Sequence, residues 1–233
     1  MANLGACISG RGAIPPVLNQ PALSGTYKTP AIHVRVRGMF TNTVPTDVYR
    51  GAGRPEAIYL LERLIDKAAL ELNIDRIDLR RRNIINPDSF PYQTPLGLKY
   101  DSGLFERNLD DGLQRMDWEN ADTRKQEAIT RGCLRGIGLA NYVERCGHGV
   151  TQNARLKAAP DGAVTIFIST MSNGQGHETA YAQVVSEFLG VSLEKITVVQ
   201  GDTDLIADGR GTGGSWSIPV GGAAIATASK ALI

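Results

Sequence analysis

The chain has 233 residues, 42% of them apolar and 21% charged, proportions ordinary for a chain that buries real cores. A formal net charge of +1 gives no field that would gather nucleic acid or an anionic membrane, and no apolar run approaches the ~20 residues that span a bilayer. The three cysteines, Cys7, Cys133 and Cys146, lack CxxC spacing, which argues against a disulfide framework or a structural zinc site. Free thiols, buried or half-buried, in a reducing cytoplasmic compartment are the expectation.

The opening "MANLGACISG" has no basic segment leading into an apolar one and is not read as a secretory signal. Residues 31–40, "AIHVRVRGMF", alternate at Ile32, Val34 and Val36, which predicts a half-exposed strand. A loop, "TNTVPTD", follows and runs into Tyr49–Arg54, "YRGAGR". Pro55 and Glu56 suit a first helical turn. Ile58, Leu61, Leu64, Ile65, Ala68 and Leu72 then recur at helical spacing as one apolar face.

Arg80, Arg81 and Arg82 form a charge run without interleaved aromatics. It reads as a solvated segment or a buried network, not a nucleic-acid patch. Ile85–Gly97 is rich in Pro, Asn and Gly and predicts a surface excursion. A second helix is expected over Leu104–Trp118 with Ser102 near its cap. The polar stretch "ENADTRKQEAITR" then marks a domain boundary or a bridging helix, and we place the boundary between residues 125 and 126.

Past that boundary, "ARLKAAPDGAVTIFIST" predicts a hairpin turning at Pro160-Asp161-Gly162. "MSNGQGHET" is a glycine turn entering a helix with Ala180, Val184 and Phe188 inward and Gly190 as its stop. "KITVVQ" returns as a strand, so this half reads as a βαβ-like layer. The closing "GGAAIATASKALI" is a helical pattern without a stop signal, the expectation for a piece of a longer chain.

Three glycine clusters interrupt these patterns: Tyr49–Arg54, Ser172–His177 and Gly209–Ser217. Glycine turns beside helix starts let backbone N–H groups approach an anionic ligand. Arg50 adds a permanent cation, Gln175 an amide, and Thr212, Ser215 and Ser217 hydroxyls. Taken singly, each cluster is most simply a tight connection. Gly209-x-Gly211-x-x-Gly214 matches the dinucleotide fingerprint formally but follows "DTDLIAD" instead of a strand, and no GxxxxGK[ST] occurs. His33 reads as a surface or core-edge residue, His177 as a polar neighbour of a ligand, and Asp202 and Asp204 as loop acids.

In order, "TNTVPTDVYRGAGRPEA", "LRRRNIINPDSFPYQTPLG", "GQGHETAYAQVVSEFLGV" and "TGGSWS" resemble the large, molybdopterin-binding subunit of the molybdenum hydroxylases. That family comprises xanthine dehydrogenase, aldehyde oxidase and aerobic carbon monoxide dehydrogenase. The resemblance implies an α/β (α+β) fold made of portions of two successive molybdopterin-binding domains, with mixed sheets and packed helices. Residues 1–125 would be the C-terminal part of the first domain and 126–233 the truncated N-terminal part of the second. It further implies a molybdenum–molybdopterin cofactor, in the cytosine dinucleotide form, held by loops of both domains, with no metal ligand from the protein.

Carried over by motif, the cofactor-binding residues are Arg50, Gly51, Gly174, Gln175, Gly176, Thr212, Gly213, Gly214, Ser215 and Ser217. Ala52 and Cys146 would line the substrate pocket, Cys146 within the stretch Glu144–His148. The implied reaction is hydroxylation of an aldehyde or N-heteroaromatic carbon with water as oxygen source. Iron–sulfur and FAD partner subunits, in an oligomer of heterotrimer type, would receive the electrons. A general-base glutamate in a GxGE-type motif is expected outside this chain, so no catalytic residue is assigned and the isolated chain is expected to be inactive. Carbon monoxide dehydrogenases carry a copper-binding cysteine where Gly51 stands. The alternatives are therefore a carbon monoxide dehydrogenase-like chain lacking that cysteine, or a non-catalytic binding protein of the same fold.

Overall fold

The computed structural model describes residues 1–18, 20–147 and 150–233. They pack as two units, Met1–Glu144 and Arg145–Ile233, each with its own core. The combination of small sheets and packed helices is the α/β (α+β) class expected from the sequence.

In the first unit the elements run β1 (Ala2–Asn3), β2 (Gly38–Met39), α1 (Arg54–Leu72), α2 (Arg76–Asn83), β3 (Tyr92–Gln93), β4 (Lys99–Tyr100), α3 (Phe105–Arg115) and α4 (Ala121–Thr130). β1 and β2 pair in parallel, β3 and β4 antiparallel. Pro55 and Glu56 open α1 as predicted, and Asn73 closes it in the left-handed conformation. At α2, Asp75 accepts the N–H groups of Ile77 and Asp78 at 2.7 and 3.1 Å, while Arg80, Arg81 and Arg82 occupy the last turn, where the helix dipole favours cations.

The core of this unit gathers Tyr27, Ile77, Ile84, Ile85, Tyr100, Phe105 and Leu109. Phe105 stands edge-on to Phe90 and Tyr100, with ring centroids 5.8 and 6.1 Å apart. Tyr100 donates to Gly25 O at 2.9 Å, and burial, with a smaller contribution from Tyr92, pushes its pKa up to about 12.

A charge lies within this unit's interior. Arg80 is fully buried. Its Nε donates to Glu62 Oε2 at 2.9 Å and its Nη1 to Arg76 O at 3.0 Å. Nη2 reaches Glu62 O at 3.3 Å and lies 2.9 Å from Asp66 Oδ1. Tyr27 completes the network by donating to Glu62 Oε1 at 2.7 Å, and burial first, then the Glu62 charge, raises the Tyr27 pKa. Desolvation alone would lower the Arg80 pKa; Glu62, Tyr27 and Asp66 reverse that, and the net shift is upward.

Three sequence expectations change here. Of residues 31–40 only Gly38–Met39 enters a ladder. Ile32 and Val34 do alternate inward, over an open groove of about 720 Å3 shared with Leu61 and Ile65 of α1, but no strand among the described residues lies beside them. The α1 face is rotated: Ala57, Glu62 and Ala69 are buried, whereas Leu64 and Leu72 are 63% and 61% exposed, because Glu62 turns inward to meet Arg80. The helix expected over Leu104–Trp118 begins at Phe105 and ends at Arg115, and Ser102 bonds Asp101 instead of capping it. The polar stretch beyond it is helical, as α4.

The second unit contains β5 (Ala154–Ala158), β6 (Val164–Ile168), α5 (His177–Leu189), β7 (Ile196–Val199) and α6 (Ala223–Leu232). β5 and β6 form the predicted hairpin in antiparallel register, Ala154 opposite Ile168. Asp161 Oδ1 accepts the Ala163 N–H at 3.0 Å and fixes the turn. β7 returns parallel to β6 after α5, the βαβ arrangement read from the sequence. Val164, Ile166 and Ile168 face one side and pack with Tyr181, Val185 and Ile225. On α5 the buried side chains are His177, Tyr181, Ala182 and Val185; Ala180, Val184 and Phe188 flank the last three half-buried, one position off the predicted face. Gly190 stops the helix in the left-handed conformation, as expected. Among the described residues no helix is long and apolar enough to cross a membrane.

Candidate functional site

In the first unit the glycine loop before α1 is built from two consecutive turns. Ala52 N–H donates to Tyr49 O at 2.7 Å and Arg54 N–H to Gly51 O at 3.1 Å. Gly51, Ala52 and Gly53 are all left-handed, with φ of 87°, 47° and 98°. A Cβ at residue 53 would fall 2.2 Å from Pro15 O, so only glycine fits. Ala52 has no such freedom and holds strain on the order of 1–3 kcal/mol. Arg50 is exposed and forms no ion pair among the described residues. Arg54, by contrast, is buried and pairs with Glu144.

In the second unit two loops meet. Ser172–His177 connects β6 to α5, whose cap Gly176 offers no side-chain acceptor, so among the described residues the first-turn N–H groups stay unmet at the positive end of the dipole. Gln175 Oε1 accepts the Asn173 N–H, which leaves the side-chain NH2 as the free, donating end of an exposed residue. Ser172 N–H donates to Gln200 Oε1 at 3.1 Å, and Gln200 in turn bonds Glu178.

The second loop, Thr212–Ser217, is tied onto the end of the first. Thr212 Oγ1 donates to Met171 O at 2.6 Å. Tyr181 donates to Ser217 O at 3.0 Å and shares a 2.6 Å contact with Thr170 Oγ1. Burial raises the Tyr181 pKa, against the lowering effect of the Thr170 and Ser217 hydrogen bonds. Trp216 Nε1 closes the loop on Gly211 O at 2.9 Å. Ser215 is left-handed at φ 58°. Among the described residues the N–H groups of Thr212, Gly213 and Gly214 meet no acceptor. A Cβ on Gly174 or Gly176 would meet nothing within 4 Å, so that loop fronts open space.

The second unit therefore brings together Gly174, Gln175, Gly176, Thr212, Gly213, Gly214, Ser215 and Ser217. Arg50, Gly51 and Ala52 share the loop of the first unit. Cys146 is exposed, and His148 lies outside the described residues. Cys7 and Cys133 are exposed as well, against the expectation of buried or half-buried thiols; all three lie in irregular segments with no packed element over them. His177 turns inward, 3% exposed, with its ring 5.2 Å from that of Tyr181. Asp202 Oδ1 accepts the N–H groups of Asp204 and Leu205, a loop acid serving its own turn. No group of three or more His, Cys, Asp or Glu among the described residues could hold a metal ion. The donor set of backbone N–H groups, hydroxyls and one amide fits an anionic, phosphate-bearing group.

Two supporting features have roles that the sequence does not single out, although Arg54 closes the Tyr49–Arg54 cluster. Gln200 sits at a strand end and Arg54 at a helix start, and neither breaks a periodicity. Only their contacts reveal them.

Residues 111–233 match the molybdopterin cofactor-binding domain family, and residues 1–84 match a second family of the same description. The chain belongs to the molybdopterin cofactor-binding domain family. The carbon monoxide dehydrogenase large chain of Hydrogenophaga pseudoflava is 37% identical over 223 residues, covering 89% of this chain and 28% of its own length. The nicotine 6-hydroxylase large subunit of Paenarthrobacter nicotinovorans is 32% identical over 221 residues, 90% of this chain and 27% of that subunit. Among solved structures, a Cu,Mo-CO dehydrogenase superposes with a TM-score of 0.80 at 32% identity, covering 99% of this chain and 32% of that one. Quinoline 2-oxidoreductase from Pseudomonas putida 86 superposes with a TM-score of 0.83 at 28% identity, covering 94% and 29%. These molybdopterin-domain relatives are the large molybdenum-hydroxylase chains that the sequence resembles, and the chain spans 27–32% of their length.

Proposed function

We propose that this molybdopterin-binding chain serves the large subunit of an oxidoreductase that hydroxylates an aldehyde or N-heteroaromatic carbon with water. What carries the reading is the run of unmet N–H groups at Thr212–Gly214 beside the uncapped start of α5, in a chain of this family. In this reading the N–H groups of Thr212, Gly213 and Gly214 and the hydroxyls of Ser215 and Ser217 hold the anionic side of the pterin, while the Thr212 hydroxyl, spent on Met171 O, holds the loop. Gly174 and Gly176 keep the α5 loop open to the cofactor, and Gln175 donates its amide to an acceptor there. Arg50 supplies a fixed cation, with Gly51 bare beside it. When bound, the molybdenum–pterin group supplies the two-electron redox chemistry.

The finer assignments belong to the same proposal. The pterin is the cytosine dinucleotide, the electrons pass to iron–sulfur and FAD partners in a heterotrimer-type oligomer, and the compartment is the cytoplasm. Residues 1–125 belong to the first molybdopterin-binding domain and 126–233 to the second. Ala52 and Cys146 border the substrate. The nicotine- and quinoline-named relatives support an N-heteroaromatic substrate.

The 37% identity to a carbon monoxide dehydrogenase large chain favours a second reading, a chain of that kind without copper. Gly51 argues against copper: at φ 87° a Cβ would sit 2.6 Å from Pro55 Cδ, so this loop as folded admits no cysteine. Expression of the full-length large subunit in a maturation-competent host, metal analysis and dye-linked turnover separate the readings. Stoichiometric molybdenum with turnover of an aldehyde or azaheterocycle supports the first. Turnover of carbon monoxide without copper supports the second. A full-length subunit that takes up neither molybdenum nor pterin is a binding or scaffold protein, and both enzyme readings fall.

A further inference from the structure

Arg54 occupies an unfavourable place for a cation. It is the first residue of α1, at the positive end of the helix dipole, and Gly53 before it caps nothing. It is also only 8% exposed, and burying a guanidinium there costs stability unless partners compensate it. Two such partners are present. Nη1 donates to Gly51 O at 3.2 Å and lies 3.0 Å from Glu144 Oε1, whose side chain is 38% exposed. One guanidinium thus joins the helix start, a carbonyl inside the left-handed turn, and a residue far along the chain.

The turn it grips needs holding. Gly51 and Gly53 take their left-handed φ without steric penalty, but Ala52 does not and relaxes to ordinary backbone wherever its surroundings permit. Pro15 O bars Gly53 from one side. Arg54 pulls on Gly51 O from within. Arg50, the exposed cation of the same loop, is displaced if the turn unwinds.

We propose that Arg54 and Glu144 are positioning residues, an ion-paired clamp that locks the 51–53 turn and so fixes Arg50 for the cofactor. The clamp itself stands on geometry; its purpose rests on the reading of Arg50 given above. A lysine at 54 keeps the charge, but its ammonium is a strongly hydrated point charge on a flexible stem and holds the Gly51 carbonyl and the Glu144 carboxylate less firmly than the guanidinium Nη1 that meets both. A glutamine at 144 keeps the shape and loses the charge.

The test uses the full-length large subunit matured in a molybdenum-competent host, as wild type, Glu144→Gln, Glu144→Asp and Arg54→Lys. Amide exchange is followed by mass spectrometry over residues 49–57, with molybdenum and pterin per chain and the unfolding midpoint measured beside it. In Glu144→Gln, exchange at the Ala52 and Arg54 amides accelerates about tenfold while distant peptides and the midpoint hold. Cofactor retained after gel filtration falls by a similar factor, and Glu144→Asp restores part of both. Unchanged exchange in Glu144→Gln overturns the clamp. Faster exchange with full cofactor retention overturns its positioning role, and a general rise in exchange with a lower midpoint reduces it to packing. If the wild type carries no molybdenum, the functional reading fails while the exchange result still decides the clamp. Should Arg54→Lys not accumulate, Glu144→Gln carries the test, since its side chain is half-exposed.

Discussion

Buried Arg80 in the first unit has its guanidinium met by Glu62, Asp66 and Arg76 O, whereas in the second unit the N–H groups of Thr212, Gly213 and Gly214 meet no acceptor among the described residues. The first arrangement spends its polar groups on one another and leaves nothing over for a ligand. The second keeps donors in reserve, on a loop fastened by side-chain bonds: Thr212 to Met171 O, Tyr181 to Ser217 O, Trp216 to Gly211 O. Polarity alone therefore does not mark a site. What marks it is polarity whose partners are missing while its scaffold is complete.

The sharpest way to break this contrast is at Arg80. Arg80→Met strands Glu62 in the interior, leaves Asp66 to Arg63 and Arg76 at 3.7 Å, and should cost about 3–5 kcal/mol in urea unfolding. A loss below about 1 kcal/mol would mean that the network is ornamental. Next comes a titration of the same interior. Unfolded tyrosine ionises near pH 10, while folded Tyr100 holds its proton to about 12. The Tyr100 contribution to stability is whole below pH 10, falls as the unfolded chain alone releases that proton, and levels above about 12, a loss of roughly 2–3 kcal/mol. Tyr100→Phe should flatten that part of the slope, at a cost near neutral pH of about 1 kcal/mol for the bond to Gly25 O. An unchanged slope in the variant counts against the assignment.

Effects shrink on the other side of the comparison. Thr212→Val removes the bond to Met171 O and should cost about 0.5–1.5 kcal/mol, together with most of the bound molybdenum. Arg50→Met should move stability by less than about 0.5 kcal/mol, since the side chain is exposed and unpaired among the described residues, yet sharply lower cofactor content. If Arg50→Met destabilises the fold instead, the loop is structural and the contrast between the units dissolves.

How far the sequence carried these conclusions depends on whether a signal was local. The β5–β6 hairpin was legible because Pro160-Asp161-Gly162 and the β-branched alternation of Val164, Ile166 and Ile168 lie within one short stretch. Gly190 was legible as a stop for the same reason. The arginine run was not. Arg80, Arg81 and Arg82 are three identical letters with three fates, one buried, one paired with Asp110 and one exposed. Helical phase against Glu62, eighteen positions earlier, decided among them. Residues 31–36 showed their alternation in sequence, but alternation does not say what lies alongside. The loops around Gln175 and Thr212 could each be singled out by glycine content; their meeting rests on a hydroxyl–carbonyl contact across forty-one residues.

The turn at Gln175 has a chemical corollary. Its carbonyl is engaged by the Asn173 N–H, so the amide is oriented, and a flip would set donor against donor. Gln175→Glu exchanges a single heavy atom, keeps the acceptor that closes the turn, and turns the outer end from donor to acceptor with a negative charge. Backbone shape and recognition at this residue are written in two different atoms, and a one-atom edit can erase the second while leaving the first intact.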